Sequence, residues 1–334
     1  MRRALRSRYA QRGVAVVTAL LLTTLAVTIV ASLFWQQQVQ VRSIENQRLQ
    51  LQKNWIMRGA LDWASMILRA SGKQFRYADL SQPWAAPLAD TRLDQYVEDG
   101  QAVGDAGDAI LSGHIVDAQS RYNLNNLSVG GKPSPDEVAA FKRLLSYLRL
   151  PGTLATAAAQ AIAQGLPAPP SATPPGTPPA GQQGNAATAA SSTLPMMQVD
   201  DLLSVPGFTP DIVRQLQDYV VVLPWTGGPT PVNVNTASAE VLASRIPSLT
   251  LAQANTLVAM RRAAPFTDIN NFTAQLTTLF NISTLPANAY LEVSSKNFLV
   301  YGKIRMGRAA LNTVSLLNRA DNGASTNIVW IREQ

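Results

Sequence analysis

The sequence predicts an α+β protein: one long N-terminal helix, an antiparallel sheet, and a large helical domain inserted into that sheet. Three observations predict it. Residues 14–34 carry neither charge nor proline, and a helix-compatible pattern runs on to about Ala70. The stretch 290–334 alternates apolar and polar residues as strands do. Between these ends the texture is helical, punctuated by cap residues and prolines.

The apolar run comes first. At about 1.5 Å per helical residue it reaches roughly 30 Å, the thickness of a bilayer core. A removable secretory signal has an apolar region of about 7–15 residues and a small-residue exit. Here Ala31-Ser32 is followed by Leu33-Phe34-Trp35, a poor exit, so a retained span over 14–35 is expected. Arg2, Arg3, Arg6, Arg8 and Arg12 precede it, and the next positive charge is Arg42. Basic flanks stay in the cytoplasm, which places the bulk of the chain across the membrane.

Past the span, Val41, Ile44, Leu51 and Trp55 recur at helical spacing, and Ile56, Ala60, Trp63 and Ile67 extend an adjoining stripe. Residues 36–121 therefore read as a spine helix and the first part of a head. Within them 72–105 is turn-rich, and ILSGHIVDAQSRYNLNNL (110–127) opens with β-like residues and ends in an Asn cluster. The last 45 residues, 290–334, read as three strands. Phe298, Val300, Ile304 and Met306 alternate, Val314 and Leu316 continue, and Ile328 and Trp330 close the pattern. Asp321-Asn322-Gly323 supplies the last turn.

Residues 122–289 read as the inserted helical domain. SPDEVAAFKRLLSYLRL opens with Ser134 as a cap, Pro135 in the first turn, and Asp136 and Glu137 against the helix dipole. Residues 165–195 are rich in Pro and Ala and cannot bury enough apolar surface to order themselves, so a disordered loop or linker is expected. Helices resume at MQVDDLLSVPGFTPDIVRQLQDYV and at NTASAEVLASRIPSLTLAQANTLVAMRRAAPFTDINNFTAQL.

Composition excludes several function classes. The 28 basic and 21 acidic residues give a formal net charge of +7, and the sequence pI is about 9.9. Losing residues 1–13 would remove five arginines and no acids, leaving 23 basic residues against 21 acidic ones. That balance would not track a phosphate backbone. There is no cysteine, hence no disulfide framework, thiol nucleophile or zinc–thiolate site. The one histidine, His114, lies in an apparent strand and is expected to be structural. No GxSxG, HExxH or Walker sequence occurs, so no enzyme is expected.

PVNVNTASAEVLASRIPSLTLAQANTLVAMRR (231–262) has helix–turn–helix punctuation, with Thr236 or Asn235 as a cap and Ile246-Pro247 as a stop. It resembles the helix-hairpin-helix units of DNA-binding proteins. Those units use a Gly-x-Gly turn that brings backbone N–H groups to a phosphate. The turn here is Pro247-Ser248-Leu249-Thr250, VPGFTP (205–210) keeps only Gly207, and Arg261-Arg262 is the only basic pair nearby. A protein-packing scaffold is expected. The second reading is a membrane-anchored DNA-binding protein of the competence type, and a third is an anchored hydrolase.

The leader itself carries a further signal. A short basic stretch, then Gly13, then an uncharged helix from Val14 resembles the signal of type IV pilins and type II secretion pseudopilins. Together with SGHIVDAQSRYNLNNL, VDDLLSVPGFTPDIVRQL, TPVNVNTASAEVLAS and FLVYGKIRMGRAALNTVSLLNR, it resembles the minor pseudopilin K family of type II secretion systems. The resemblance implies a pilin-like α+β fold with a helical insertion of helix-hairpin-helix or SAM-like units. It implies cleavage by prepilin peptidase between Gly13 and Val14, with methylation of Val14. It implies an inner-membrane subunit at the tip of a periplasmic pseudopilus, partnered by minor pseudopilins I and J. Minor pseudopilin H and the major pseudopilin G are further candidates. Mature position five, usually Glu in these families, is Thr18. The family often carries a Ca²⁺-suited acidic stretch after the first insert helix. Here that region is RLPGTLATAAAQAIAQGLPAPP, and the nearest acids are Asp200-Asp201, so no cofactor is expected and no metal ligand is assigned.

Overall fold

The computed structural model describes residues 11–93, 109–165, 194–307 and 309–334. Helix α1 spans Gln11–Gln74, 64 residues with no proline to break it. Residues 14–48 are exposed on every side. The head takes hold further on, along Met57, Leu61, Ala64 and Leu68, one stripe at i, i+4, i+7 and i+11. The choice of stripe corrects the sequence reading. Val41, Ile44, Leu51, Trp55 and Trp63 stay exposed, and Ile56 and Ile67 only flank the packed stripe. A sheet covers one sector of a helix, and hydrophobicity alone does not say which of two apolar stripes it will take.

The chain after α1 is pinned by Gln82. Its Oε1 accepts from the Ser71 hydroxyl and the Trp84 indole, both at 2.8 Å. Trp84 is thereby held edge-on against Phe298, ring centroids 5.2 Å apart. Strand β1 (Leu88–Arg92) follows and was not legible, because LADTR lacks alternation. Strand β2 is Ile110–Asp117.

The insert then runs through β3 (Tyr122–Asn123), β4 (Ser128–Val129), β5 (Lys132–Pro133), α2 (Pro135–Tyr147) and α3 (Thr153–Gly165). It continues through α4 (Pro210–Leu216), β6 (Val220–Val221), β7 (Val232–Asn233), α5 (Ala239–Arg245), α6 (Leu251–Met260), α7 (Ile269–Phe280) and β8 (Leu291–Glu292). Strands β9 (Asn297–Met306), β10 (Ala309–Arg319) and β11 (Thr326–Glu333) complete the sheet. Most of the Pro- and Ala-rich stretch 165–195 lies outside the described residues.

The sheet order is β1-β2-β9-β10-β11, antiparallel throughout. Strands β2 and β9 are neighbours, with Asp117 opposite Phe298. Everything from 118 to 296 is therefore one excursion between adjacent strands. Alternation along β9 and β10 gives the sheet two packed faces. Phe298, Val300, Ile304, Leu311 and Leu317 meet α1, while Leu299, Val314 and Leu316 meet Val221 and Leu223 of the insert. Gly302 lies under α1, where a Cβ would stand 3.2 Å from the Met57 methyl, so the missing side chain lets helix and sheet close up.

Two expectations need correction. The insert is not purely α. Two-residue ladders join β3 to β6 and β7 to β8 in parallel and β4 to β5 in antiparallel. The first two tie distant segments near the sheet, which helical periodicity cannot reveal. In β11 the alternation is interrupted: a bulge between Leu316 and Leu317 sets Trp330 opposite Leu316 and Ile328 opposite Leu317, and Ile328 is exposed. The Asp321-Asn322-Gly323 turn does form. Gly323 sits at φ 65°, where a Cβ would lie 2.6 Å from the Arg69 carbonyl oxygen.

Candidate assembly surface and the joint behind it

One helix among the described residues, α1, is long and apolar enough to cross a membrane. Gly13 and Val14 lie within its first turn, and Val14 is exposed. The Thr18 hydroxyl donates to the Ala15 carbonyl at 3.0 Å. Thr23, Thr24 and Thr28 do the same to Leu20, Leu21 and Leu25 at 2.8–2.9 Å. Each hydroxyl is thus satisfied within the helix, as an apolar surrounding requires. The four positions differ only in where they stand along the span.

Behind this surface the insert and the sheet meet at Asp117. Its carboxylate is fully buried and accepts four hydrogen bonds. Oδ1 takes the Gln119 N–H at 2.8 Å. Oδ2 takes the Thr236 hydroxyl at 2.6 Å, the Ser295 hydroxyl at 2.6 Å and the Asn233 amide at 2.9 Å. Asn233 also donates to the Ala78 carbonyl at 2.9 Å, so the loop after α1 joins the cluster. Gln119 straps the other side, accepting from Lys296 N–H at 2.6 Å and donating to the Pro231 carbonyl at 3.1 Å. Among the described residues no cation forms an ion pair with Asp117, although the charges of Arg261 and Arg319 are close enough to interact with it through space. Burial pushes its carboxyl above the ordinary range, and the four donors offset part of that rise.

Inside the insert a second buried carboxylate is held differently. Glu137 makes a bidentate pair with Arg245, at 2.6 Å and 3.0 Å. The Tyr122 hydroxyl donates to Glu137 Oε2 at 2.8 Å, and Arg245 also donates to the Ala289 carbonyl at 2.8 Å. The guanidinium lies between the rings of Tyr122 and Tyr290, 5.7 Å and 5.5 Å from their centroids. Sequence reading placed Glu137 as a dipole-facing acid in the first turn of α2. The structure makes it the anchor that fixes α2 to α5. Neither Asp117 nor Glu137–Arg245 could be found by spacing, since, Gln119 and Tyr122 aside, their side-chain partners lie 108 to 178 residues away.

The other sequence candidates fall into place around these two clusters. His114 is exposed on β2 and stacks on Tyr301, centroids 4.7 Å apart. The cap of α5 is Ser238, accepting from Val241 N–H at 3.3 Å. Thr236 and Asn235 are drawn instead to Asp117 and Phe266. The turn Pro247–Thr250 starts α6 with a Thr250–Gln253 capping box. Arg261 is buried and donates to the Val234 carbonyl at 2.6 Å, and burial lowers its pKa to about 10. One member of the only nearby basic pair is thus turned inward, away from any phosphate.

The region where the acidic stretch was sought is the wall of a core. In α3, Leu154, Ala155, Ala158, Ala159 and Ile162 are buried. Asp201 accepts from the N–H groups of Met197 and Gln198, and Asp200 from Gln217. Among the described residues no group of three or more His, Asp or Glu is placed to hold a metal ion.

Two family models, both described as type II secretion system (T2SS), protein K, match residues 120–225 and 232–289. Type II secretion system protein K of Pseudomonas aeruginosa is 29% identical over 332 residues, covering 95% of this chain and 91% of the relative. A chain in the crystal structure of the GspK-GspI-GspJ complex from the enterotoxigenic Escherichia coli type 2 secretion system shares the fold. Its TM-score is 0.61 at 20% identity, over 88% of this chain and 99% of that one. The matched models cover most of the insert, including its buried carboxylate pair, and the long bare helix and antiparallel sheet complete the fold: the chain carries the two domains that the type II secretion system protein K models describe and is similar to protein K over nearly its whole length.

Proposed function

We propose that this chain is the tip subunit of the pseudopilus, a non-enzymatic piece that starts assembly with minor pseudopilins I and J. The observation that carries it is the shape of the chain. A helix bare along residues 14–48 leads to a sheet whose far face is covered by the 118–296 insert. Such a subunit offers lateral contacts through its helix and presents the insert where a further subunit would stack. The solved complex that shares this fold holds the I and J proteins, which supports the partner assignment. The arginine-rich leader puts the N-terminus on the cytoplasmic side of the inner membrane and the head in the periplasm. Prepilin peptidase cuts after Gly13 and the amine of Val14 is methylated.

Thr18 fits the same reading. A Glu at that position would neutralise the amine of the subunit ahead, because an unpaired charge in the membrane is costly. A tip subunit has none ahead, and Thr18 instead satisfies itself on Ala15. Intact mass of the processed protein tests the reading: a methylated start at Val14 is expected, and Gly13→Val should block it. A mature start near residue 32, or an uncut chain in cells with active peptidase, sinks it. Thr18→Ala should still support secretion in a strain lacking the native copy, and Thr18→Glu should gain nothing. Millimolar Ca²⁺ should move the melting temperature little, and a chelator-reversible rise would contradict that.

A further inference from the structure

Beside the contact that Val221 and Leu223 make with the sheet, a cleft of about 540 Å³ opens between sheet and insert. The register explains its floor. His114, Tyr301 and Val314 stand opposite one another across β2, β9 and β10, with Val116 and Leu299 in the next row. Residues 217–222 of the insert overhang them. From β2 to β11 the floor crosses roughly 14 Å, the reach of about four extended residues.

Arg121 lines this cleft. Its side chain is only 16% exposed, yet its one charged partner among the described residues is Asp218, 4.0 Å away. That separation is too long for a hydrogen bond, and Asp218 is 88% exposed, where water screens the pair. The other buried guanidinium groups are treated differently. Arg245 meets Glu137, Arg261 donates to the Val234 carbonyl, and Arg319 donates to the carbonyls of Leu68 and Ser295. Other charges around the cleft are engaged as well: Arg332 donates to the Met197 carbonyl at 2.8 Å, and Asp200 accepts from Gln217 at 3.2 Å. Arg121 alone among these arginines keeps a half-hidden fork of N–H donors with no acceptor among the described residues. Such a fork matches the two oxygens of a carboxylate. The apolar floor beside it matches what would carry that carboxylate, and its length exceeds a single residue. We propose that the cleft binds an extended peptide that sets a carboxylate, at its C-terminus or on an acidic side chain, on Arg121 while an apolar side chain lies on Val116 and Tyr301. Such binding does not depend on where the chain stands in the pseudopilus.

The test holds the full chain in detergent micelles on a solid support and offers it pools of random hexapeptides. One pool has free C-termini and no acidic residue, a second is amidated and also lacks acids, and a third is amidated with a single Asp. The first or the third should be retained about tenfold or more over the second. Which of them is retained tells a terminal carboxylate from a side-chain one. Arg121→Gln should lose about tenfold or more of that retention, while Arg121→Lys, which keeps the charge without the fork, should keep part of it. Phenylglyoxal labelling of the unsubstituted chain reads the same site without any change of fold. Arg121 should react when the cleft is empty and be protected by the retained peptides, while the exposed Arg214 stays reactive throughout. Retention of no pool, equal retention of the amidated acid-free pool, or equal labelling of Arg121 with and without peptide overturns the site. Retention that arises only after deletion of residues 167–192 would give the cleft to the chain itself and overturn it too.

Discussion

Glu137 in the insert and Asp117 at the joint are both fully buried carboxylates, yet Glu137 meets a guanidinium and Asp117 meets only neutral donors. The two solutions serve different tasks. Glu137–Arg245 joins α2 to α5, two elements of one core, and a bidentate charge pair sets their relation at close range. Asp117 gathers segments from the sheet, the insert and, through Asn233, the loop after α1, and one oxygen takes three donors from two segments, 233–236 and Ser295. The lesson is that a buried charge inside a core can be paired, while one at a crossing of chains is better served by several small donors.

The largest effect should come from breaking the pair. Arg245→Ala leaves Glu137 buried and uncompensated, at a cost of about 3–5 kcal/mol. The double change Glu137→Gln with Arg245→Met should recover most of it. Urea unfolding followed by a signal from the insert measures both, and equal losses for the single and double variants would contradict the pairing. Next in size are core truncations on either side of the joint. Leu144→Ala in the insert and Leu68→Ala under the sheet should each cost about 2–5 kcal/mol. If Asp117 couples the halves, hydrogen exchange will rise in both halves for either variant. A rise confined to the mutated half would show that the joint only positions them.

The pH dependence sharpens the comparison further. Burial raises the folded-state carboxyl of Asp117 above its unfolded value of about 3.9. In the window between those two values the folded chain holds a proton that the unfolded chain has released. Stability owed to this group therefore grows as pH falls through the folded pKa, and is lost again as pH rises. The slope is at most about 1.4 kcal/mol per pH unit. The difference between the wild-type protein and Asp117→Asn, measured by urea midpoints from pH 7 downward, should show that sign. A difference that shrinks stability on acidification would overturn it. Smallest are the caps. Thr250→Ala removes half of a capping box and should cost about 1 kcal/mol. Ser134→Ala should cost almost nothing, since the Ser134 hydroxyl caps no N–H and Glu137 holds α2 instead.

Much of this molecule was readable because its signals are local. The span, the C-terminal strands and the Asp321-Asn322-Gly323 turn each announce themselves within a few residues. The Ser134-Pro135 start of α2 was equally plain, although its cap bond does not form. Strand β1 was missed because its five residues carry no alternation and gain their place only by pairing with β2. Asn235 and Thr236 were read as caps by type, but a better offer came from Phe266 and Asp117. Arg261 looked like half of a basic pair until burial turned it toward Val234.

The sequence by itself determined the long helix, its apolar first half and the presence of strands at the end, because periodicity and charge act over a few turns of chain. It also carried enough motif to suggest the family. Which stripe of α1 the sheet would take, that 118–296 would leave and return between two paired strands, and how two carboxylates would be buried were decided by tertiary structure alone. Those outcomes depend on groups more than a hundred residues apart meeting in space, where desolvation makes each unmade hydrogen bond costly and so selects the one arrangement that satisfies them all.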